Sequence, residues 1–120
     1  MTSDDIALIG SARSVHGEFG LRRDYSAGTV AAALRTQAGH IYTGICIDLA
    51  CGLGFCAEAA AVAEMLKHRE THIDTVVAVG RGGVILAPCG RCREMIWQVD
   101  RRNADCRVLL CGDREVRLKE

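Results

Sequence analysis

The sequence has no surplus of either charge: Lys plus Arg number 15, and Asp plus Glu also number 15. Without excess positive charge a chain holds a polyanion poorly by counterion release, so polymeric nucleic acid is not an expected partner. Rings are scarce too. Two Phe, two Tyr and one Trp leave few platforms for stacking the bases of a single strand. No apolar run approaches the ~20 residues that span a bilayer, and Met1-Thr2-Ser3-Asp4-Asp5 is acidic where a secretory leader starts basic. The expected location is therefore cytoplasmic, with no membrane partner. A single Pro beside 13 Gly, with 49% hydrophobic and 25% charged residues, fits neither a disordered nor a collagen-like chain. At 120 residues the expectation is a single domain over 1–120, too small for a two-domain enzyme.

Cysteine, in contrast, is abundant. The seven are Cys46, Cys51, Cys56, Cys89, Cys92, Cys106 and Cys111. An odd count without an export signal argues against a disulfide framework and for thiolate metal binding or thiol chemistry. Only Cys89 and Cys92 have the C-x-x-C spacing that lets two sulfurs of one turn meet the same ion. The other pairs need the fold to bring them together.

Apolar residues Ile6, Ala7, Ile9, Ala12 and Val15 recur at helical steps and predict a first helix over 4–16. Residues 17–28 read as a loop. Two β-leaning runs, 29–36 and 40–48, flank Gln37-Ala38-Gly39 and predict a hairpin. Residues 56–67 are dense in helix formers with no Gly or Pro, which predicts an apolar, central helix. The β-branched run 72–79 predicts an interior strand, closed by Gly80-Arg81-Gly82-Gly83. An amphipathic helix over 89–102 follows Pro88, then a strand over 107–111 and a short last one at 116–118. This order predicts an α/β fold: a mixed five-stranded sheet with parallel crossovers and helices on both faces, a three-layer α/β/α sandwich.

That topology sends the starts of two helices to one sheet edge, where open α/β sheets bind ligands. Cys56 opens one helix, and Cys89 and Cys92 open the other. Three sulfurs leave one tetrahedral position of a Zn²⁺ ion free, which separates a catalytic from a structural zinc. Glu58, two residues after Cys56, is near enough to take a proton from a water on that metal without ligating it.

Cys56-Ala57-Glu58 together with Pro88-Cys89-Gly90-Arg91-Cys92 resembles the paired C-A-E and P-C-x-x-C motifs of the cytidine deaminase superfamily. Thirty residues separate Glu58 from Cys89, as in its small nucleoside members. Asp24-Tyr25-Ser26, Ile41-Tyr42-Thr43-Gly44 and residues 86–93 are most similar to blasticidin S deaminase-like members. The likeness covers about residues 24–112, and the two motifs together are far more specific than either alone. It implies a cytidine deaminase-like fold with zinc held by Cys56, Cys89 and Cys92. It also implies hydrolytic deamination of a cytidine-like or blasticidin-like aminopyrimidine, with ammonia released and Glu58 activating the water on zinc and shuttling the proton. The resemblance implies substrate contacts from the Ala57 N–H and Ser26, while Asp48 is a candidate acceptor for a hydroxyl and Phe55, directly before Cys56, is the aromatic nearest in sequence for stacking a base. The expected partners are a small-molecule substrate and further copies of the chain, as a homo-oligomer (tetramer or dimer).

Three departures bear on substrate. The family's Asn-x-Glu for sugar hydroxyls is replaced by Cys46-Ile47-Asp48, so an amide donor-acceptor is missing. The Arg that follows C-A-E in the family is Ala59 here, so either Arg91 or Arg93 offsets the thiolate charge or the zinc site stays more negative. The chain reaches Lys119-Glu120 without the aromatic segment that closes the family pocket, which predicts a more open pocket or one closed by a neighbouring subunit. These departures support an alternative in which the same chemistry acts on free, modified or damaged nucleobases or related amino-heterocycles, guanine-type purines and triazines included. A structural zinc and a redox C-x-x-C are the competing readings. Cys46, Cys51, Cys106 and Cys111 are otherwise expected as small buried apolar side chains, with Cys51 the one to line a pocket. His16, His40, His68 and His72 lack mutual metal spacing.

Overall fold

The computed structural model describes all residues from Met1 to Glu120. Its elements run α1 (Ser3–Val15), β1 (Phe19–Gly20), β2 (Ser26–Thr36), β3 (Ile41–Asp48), α2 (Ala57–Lys67), β4 (Ile73–Val79), β5 (Ile85–Leu86), α3 (Gly90–Val99), β6 (Arg107–Leu110) and β7 (Arg114–Arg117). Single 3₁₀ turns occupy Arg81–Gly83 and Arg101–Asp105.

Five strands carry the sheet in the order β3-β2-β4-β6-β7, and β1 and β5 add two residues each beside β2 and β4. β2 is antiparallel to both β3 and β4, so β3 and β4 point the same way. The connection through α2 is therefore one crossover between co-directional strands, and that through α3 is another. Only β4 and β6 are hydrogen-bonded as parallel neighbours, through Thr75 opposite Arg107 and Val76 opposite Val108.

Strand periodicity divides the core in two. Ala31, Ala33, Val77, Val79 and Leu109 face Leu8, Ile9 and Ala12 of α1. Their neighbours Ala32, Leu34, Val76, Ala78 and Val108 face the opposite way, toward Ala57, Ala61, Val62 and Met65 of α2 and Ile96 of α3. Side chains alternate faces along a strand, so β2 and β4 must be apolar at every central position, and they are. The expected mixed sheet with helices on both faces is present, but it has seven strands rather than five, because the short β1 and β5 also pair into it.

α1 is fastened at both ends. Thr2 and Asp5 form a reciprocal capping box. Asp5, though buried, is paired with the Arg107 guanidinium at 2.6 Å, which holds its carboxyl below the ordinary range. Arg13 grips the Gly83 carbonyl with two nitrogens at 3.0 and 2.9 Å. Asn103, fully buried in the 3₁₀ turn after α3, accepts from the Ile73 N–H and donates to the Thr71 and Ile96 carbonyls.

Three boundaries differ from the sequence reading, the last strand running over Arg114–Arg117 rather than 116–118. The segment 17–28 contains β1, and β2 begins at Ser26, because Phe19 and Gly20 pair with Ala27 and Ser26. The helix expected to reach residue 102 ends at Val99, where Asp100 turns extended and its carboxylate caps the Arg102 N–H of the following 3₁₀ turn.

Candidate functional site

α2 and α3 start beyond the carboxyl ends of the co-directional β3 and β4, so their first turns reach the same sheet edge. Cys56 and Cys89 are the respective N-cap residues, both extended, and neither spends its side chain on a cap bond. Cys92 lies in the first turn of α3, buried. Sγ of Cys89 is 3.9 Å from that of Cys56 and 3.5 Å from that of Cys92, and all three sulfurs lie within 4.8 Å of one another. Zinc–sulfur bonds of ~2.3 Å at tetrahedral angles require sulfurs about 3.8 Å apart. The three thiols fit that requirement.

Their protonation is uneven. Cys89 is pulled below the ordinary thiol range, foremost by the Cys92 backbone N–H and with help from the neighbouring thiols. Cys56 is pushed up by burial, and Cys92 is pushed up strongly by burial and then by the charge of Glu58. A dication is the group that would let all three ionise together. Glu58 is only 5% exposed, and burial raises its carboxyl against opposing hydrogen bonds from its own backbone N–H and from Cys92. Burial in this place favours the protonated carboxyl, the form with a proton to give.

These groups border a cavity of about 610 Å³. Ala57, Phe55, Asp48, Cys51 and Arg91 share its wall with Cys56, Cys89 and Glu58. Ser26 does not; it lies across the β2–β3 pair from Asp48. Arg93 donates to the Leu118 carbonyl at 2.6 Å, so Arg91 is the guanidinium at the cavity.

Thr29 and Val30 also line it, and the sequence reading did not find them. They arrive through a bulge: Ala27 pairs with Ile47 and Ala31 with Ile45, so residues 28–30 stand opposite Cys46 alone. Gly28 permits this with φ of +85°, and a Cβ there would lie 2.1 Å from the Gly17 carbonyl oxygen. The displaced Val30 N–H donates to Cys46 Sγ at 3.3 Å, and Cys46 Sγ donates to Asp48 Oδ2 at 3.6 Å. Gly28 is the one sequence signal that marked the spot.

The site is held against the sheet at Gly44. A Cβ there would come within 2.4 Å of the Ala61 nitrogen and 2.8 Å of the Ala57 oxygen, so α2 lies directly on the β3 backbone.

Of the remaining cysteines, Cys106 is buried as expected, as is Cys46. Cys51 and Cys111 are exposed instead, because each sits in the turn that follows a strand. The three thiols are the one cluster of His, Cys, Asp or Glu arranged to hold a metal. His40 pairs with Glu70, which also receives the Tyr42 hydroxyl, while the His68 ring stacks on Tyr42 at 5.2 Å. His16 bonds the Thr29 carbonyl.

The profile of the cytidine and deoxycytidylate deaminase zinc-binding region matches residues 8–106. Among curated proteins, the chain is 34% identical over 90 residues to a blasticidin-S deaminase of Bacillus cereus, covering 68% of the chain and 62% of that protein. It is 33% identical over 75 residues to a cytidine deaminase of Mycobacterium tuberculosis, covering 62% and 56%. The match thus spans about six-tenths of the relatives' own length. In three dimensions the chain superposes on the crystal structure of cytidine deaminase from Mycobacterium tuberculosis with a TM-score of 0.79 at 26% identity, covering 98% of this chain and 92% of that one. For cytidine deaminase from Burkholderia pseudomallei the TM-score is 0.74 at 27% identity, covering 98% and 94%. With the motif pair, the thiol geometry and the fold in agreement, the chain belongs to the cytidine and deoxycytidylate deaminase zinc-binding family.

Proposed function

We propose that the protein is a zinc-dependent hydrolytic deaminase of a small amino-substituted heteroaromatic, with cytidine-like or blasticidin-like aminopyrimidines as the substrate class. The observation that carries this is the meeting of three thiols with one buried carboxyl, Glu58, beside a single cavity whose wall includes Cys56, Cys89 and Glu58. Cys56, Cys89 and Cys92 would hold the metal. When bound, zinc supplies Lewis acidity and makes water a nucleophile at neutral pH.

The rest of the task falls to the chain. Glu58 takes one proton from water and passes it to the ring nitrogen, then takes the second from the oxygen added to the ring carbon and passes it to the exocyclic amine, so that the C–N bond breaks, the ring carbonyl forms and ammonia leaves. The Ala57 N–H, at the start of α2, is oriented by the helix to hold an exocyclic ring oxygen. Phe55 walls the ring plane, and Asp48 accepts from a donor on the substrate. Ser26 pairs with Asp48 across β2 and β3 but lies off the cavity wall, and it is given no substrate contact. Leu53, 80% exposed, and Phe55 beside the mouth support association with further copies, as a tetramer or dimer. The working location in this reading is the cytoplasm.

Cys46 at the position of the family's Asn favours a second reading, the same chemistry on free, modified or damaged bases. Both are tested by ammonia release from zinc-loaded protein over cytidine, deoxycytidine, blasticidin S, cytosine, guanine and triazine bases. Glu58→Gln is expected to keep one zinc per chain and lose about 10²–10⁴-fold in turnover. A fully active Glu58→Gln protein, or a parent that binds no zinc, would refute the proposal.

A further inference from the structure

Gly28, Thr29 and Val30 have no strand partner on either side. β1 pairs no further along β2 than Ala27, β4 pairs only from Ala31 onward, and the register to β3 skips the three residues between. Backbone groups left out of a ladder need other partners. The end of α1 supplies two in succession: the Gly17 N–H donates to the Gly28 carbonyl at 3.0 Å, and His16 Nε2 lies 2.9 Å from the Thr29 carbonyl oxygen. A carbonyl only accepts, so Nε2 is the N–H donor of that bond. The post is itself anchored, because the His16 N–H donates to the Arg13 carbonyl and the Arg13 guanidinium grips Gly83. Thr29 and Val30 line the cavity that has Cys56, Cys89 and Glu58 in its wall, whereas His16 does not.

We propose that His16 is a positioning residue: by holding the Thr29 carbonyl it fixes the bulge as a wall of the cavity and so sets how tightly a ligand is gripped, without acting on the reacting atoms. On the β3 side the bulge has one weak tie, the Val30 N–H on Cys46 Sγ at 3.3 Å, and a thiol sulfur is a poor acceptor. Without the imidazole, the α1 side holds the bulge at Gly17 alone, and Thr29 is free to turn from the cavity. The three clustered thiols and Glu58 belong to the starts of α2 and α3, away from both α1 and the bulge in the chain, so they stay in place. The effect on ligand affinity rests on reading the cavity as the substrate pocket of the proposed deaminase; the tie to the bulge does not.

The test compares the zinc-loaded full chain with His16→Leu, which keeps bulk and loses the donor, and His16→Gln, whose amide replaces the Nε2–H. Relaxation dispersion of the Thr29 and Val30 amides reads motion of the bulge on the μs–ms scale. Calorimetry gives Kd for uracil and uridine, two unreactive product-type ligands, and steady-state kinetics give KM and kcat on whichever substrate releases ammonia fastest. His16→Leu is expected to show dispersion at both amides that the parent lacks, to bind the ligands about five-fold more weakly and to raise KM by the same factor, the worth of one hydrogen bond. It should keep one zinc per chain and a kcat within about two-fold of the parent, and His16→Gln should behave as the parent throughout. Quiet amides in His16→Leu, unchanged Kd, a fall in kcat as large as the rise in KM, loss of zinc, or failure of Gln to restore would overturn the assignment. A His16→Leu chain that does not fold would overturn it too, since the bond would then serve the fold rather than the cavity. A parent that binds neither ligand and releases no ammonia would refute the deaminase reading; dispersion in His16→Leu alone would then support the tie, and its absence would overturn it.

Discussion

Alanine at Gly44 should damage both the fold and the metal centre. Gly44 is not in a left-handed conformation, so the effect is a collision alone. The added Cβ would stand 2.4 Å from the Ala61 nitrogen, 2.6 Å from the Ala60 Cβ and 2.8 Å from the Ala57 oxygen, where ordinary contact begins at 3.4 Å. Two of those three atoms are helix backbone, and no rotamer relieves them. α2 must rise from β3 by about 1 Å, a gap that forfeits a quarter to a half of each dispersion contact across it. Overpacking of this kind costs typically 1–3 kcal/mol, and the backbone partners place Gly44→Ala at about 3 kcal/mol or above. With an unfolding entropy of ~2.1 cal/mol/K per residue, that lowers Tm by about 12 °C. The same rise carries Cys56 and Glu58 away from Cys89 and Cys92 by more than the ~0.2 Å that metal ligation tolerates, so zinc affinity falls as well. The assay is urea and thermal unfolding of chelator-treated protein, followed by zinc competition with a chromogenic chelator. Gly10→Ala is the control: its Cβ meets nothing within 4 Å on the exposed side of α1, and it should be neutral or stabilising by up to ~1 kcal/mol. A Gly44→Ala protein within ~0.5 kcal/mol of the parent would refute the reasoning.

Asn103→Ala removes an acceptor for the Ile73 N–H and donors to two carbonyls in a fully buried position, and is expected to cost about 3 kcal/mol, read as a shift of the urea midpoint at unchanged m. Asn103→Asp should be no milder, since it turns an acceptor toward the Thr71 and Ile96 carbonyls; a milder Asp variant would sink the assignment. Glu70 is held down at about 2, foremost by the Thr36 hydroxyl, then by Tyr42 and His40. Because its folded value lies below the ordinary 4.5, its contribution is full above pH ~4.5 and fades as the pH falls toward ~2. The stability gap between parent and Glu70→Gln should therefore be constant above that window and narrow within it, as followed by urea titrations across pH; a gap that stays constant down to pH 2 contradicts the arrangement.

The helices and main strands were legible in the chain because burial imposes their periods. Ala31 to Leu34 and Val76 to Val79 are apolar at consecutive positions, which only an interior strand demands. The cluster of three thiols was legible for a different reason: two short motifs fix residue type and spacing together, and the crossovers bring them to one edge. The bulge at residues 28–30 was not legible, since a register shift depends on what the partner strand offers, and Gly28 alone does not reveal it. Thr29 and Val30 were missed with it. The early end of α3 escaped for a similar reason: no Gly or Pro stands at the stop, and the turn is instead organised by Asp100 and by Asn103 reaching Ile73, thirty residues away.

The position of Cys56 and Cys89 at the starts of two different helices has a consequence for the order of assembly. Between them lie all of α2, β4 and β5, so the thiols come together only after β4 has entered the sheet beside β2 and the chain has turned back over it. Closing a loop of this length before those contacts form is entropically opposed, and nothing local rewards it. The buried layers on either side of the sheet are built without Cys56, Cys89 or Cys92. If Cys56, Cys89 and Cys92 hold the metal as proposed, loading is expected as the last event in maturation rather than its nucleus, with the ion cross-linking two helix starts that folding has already delivered.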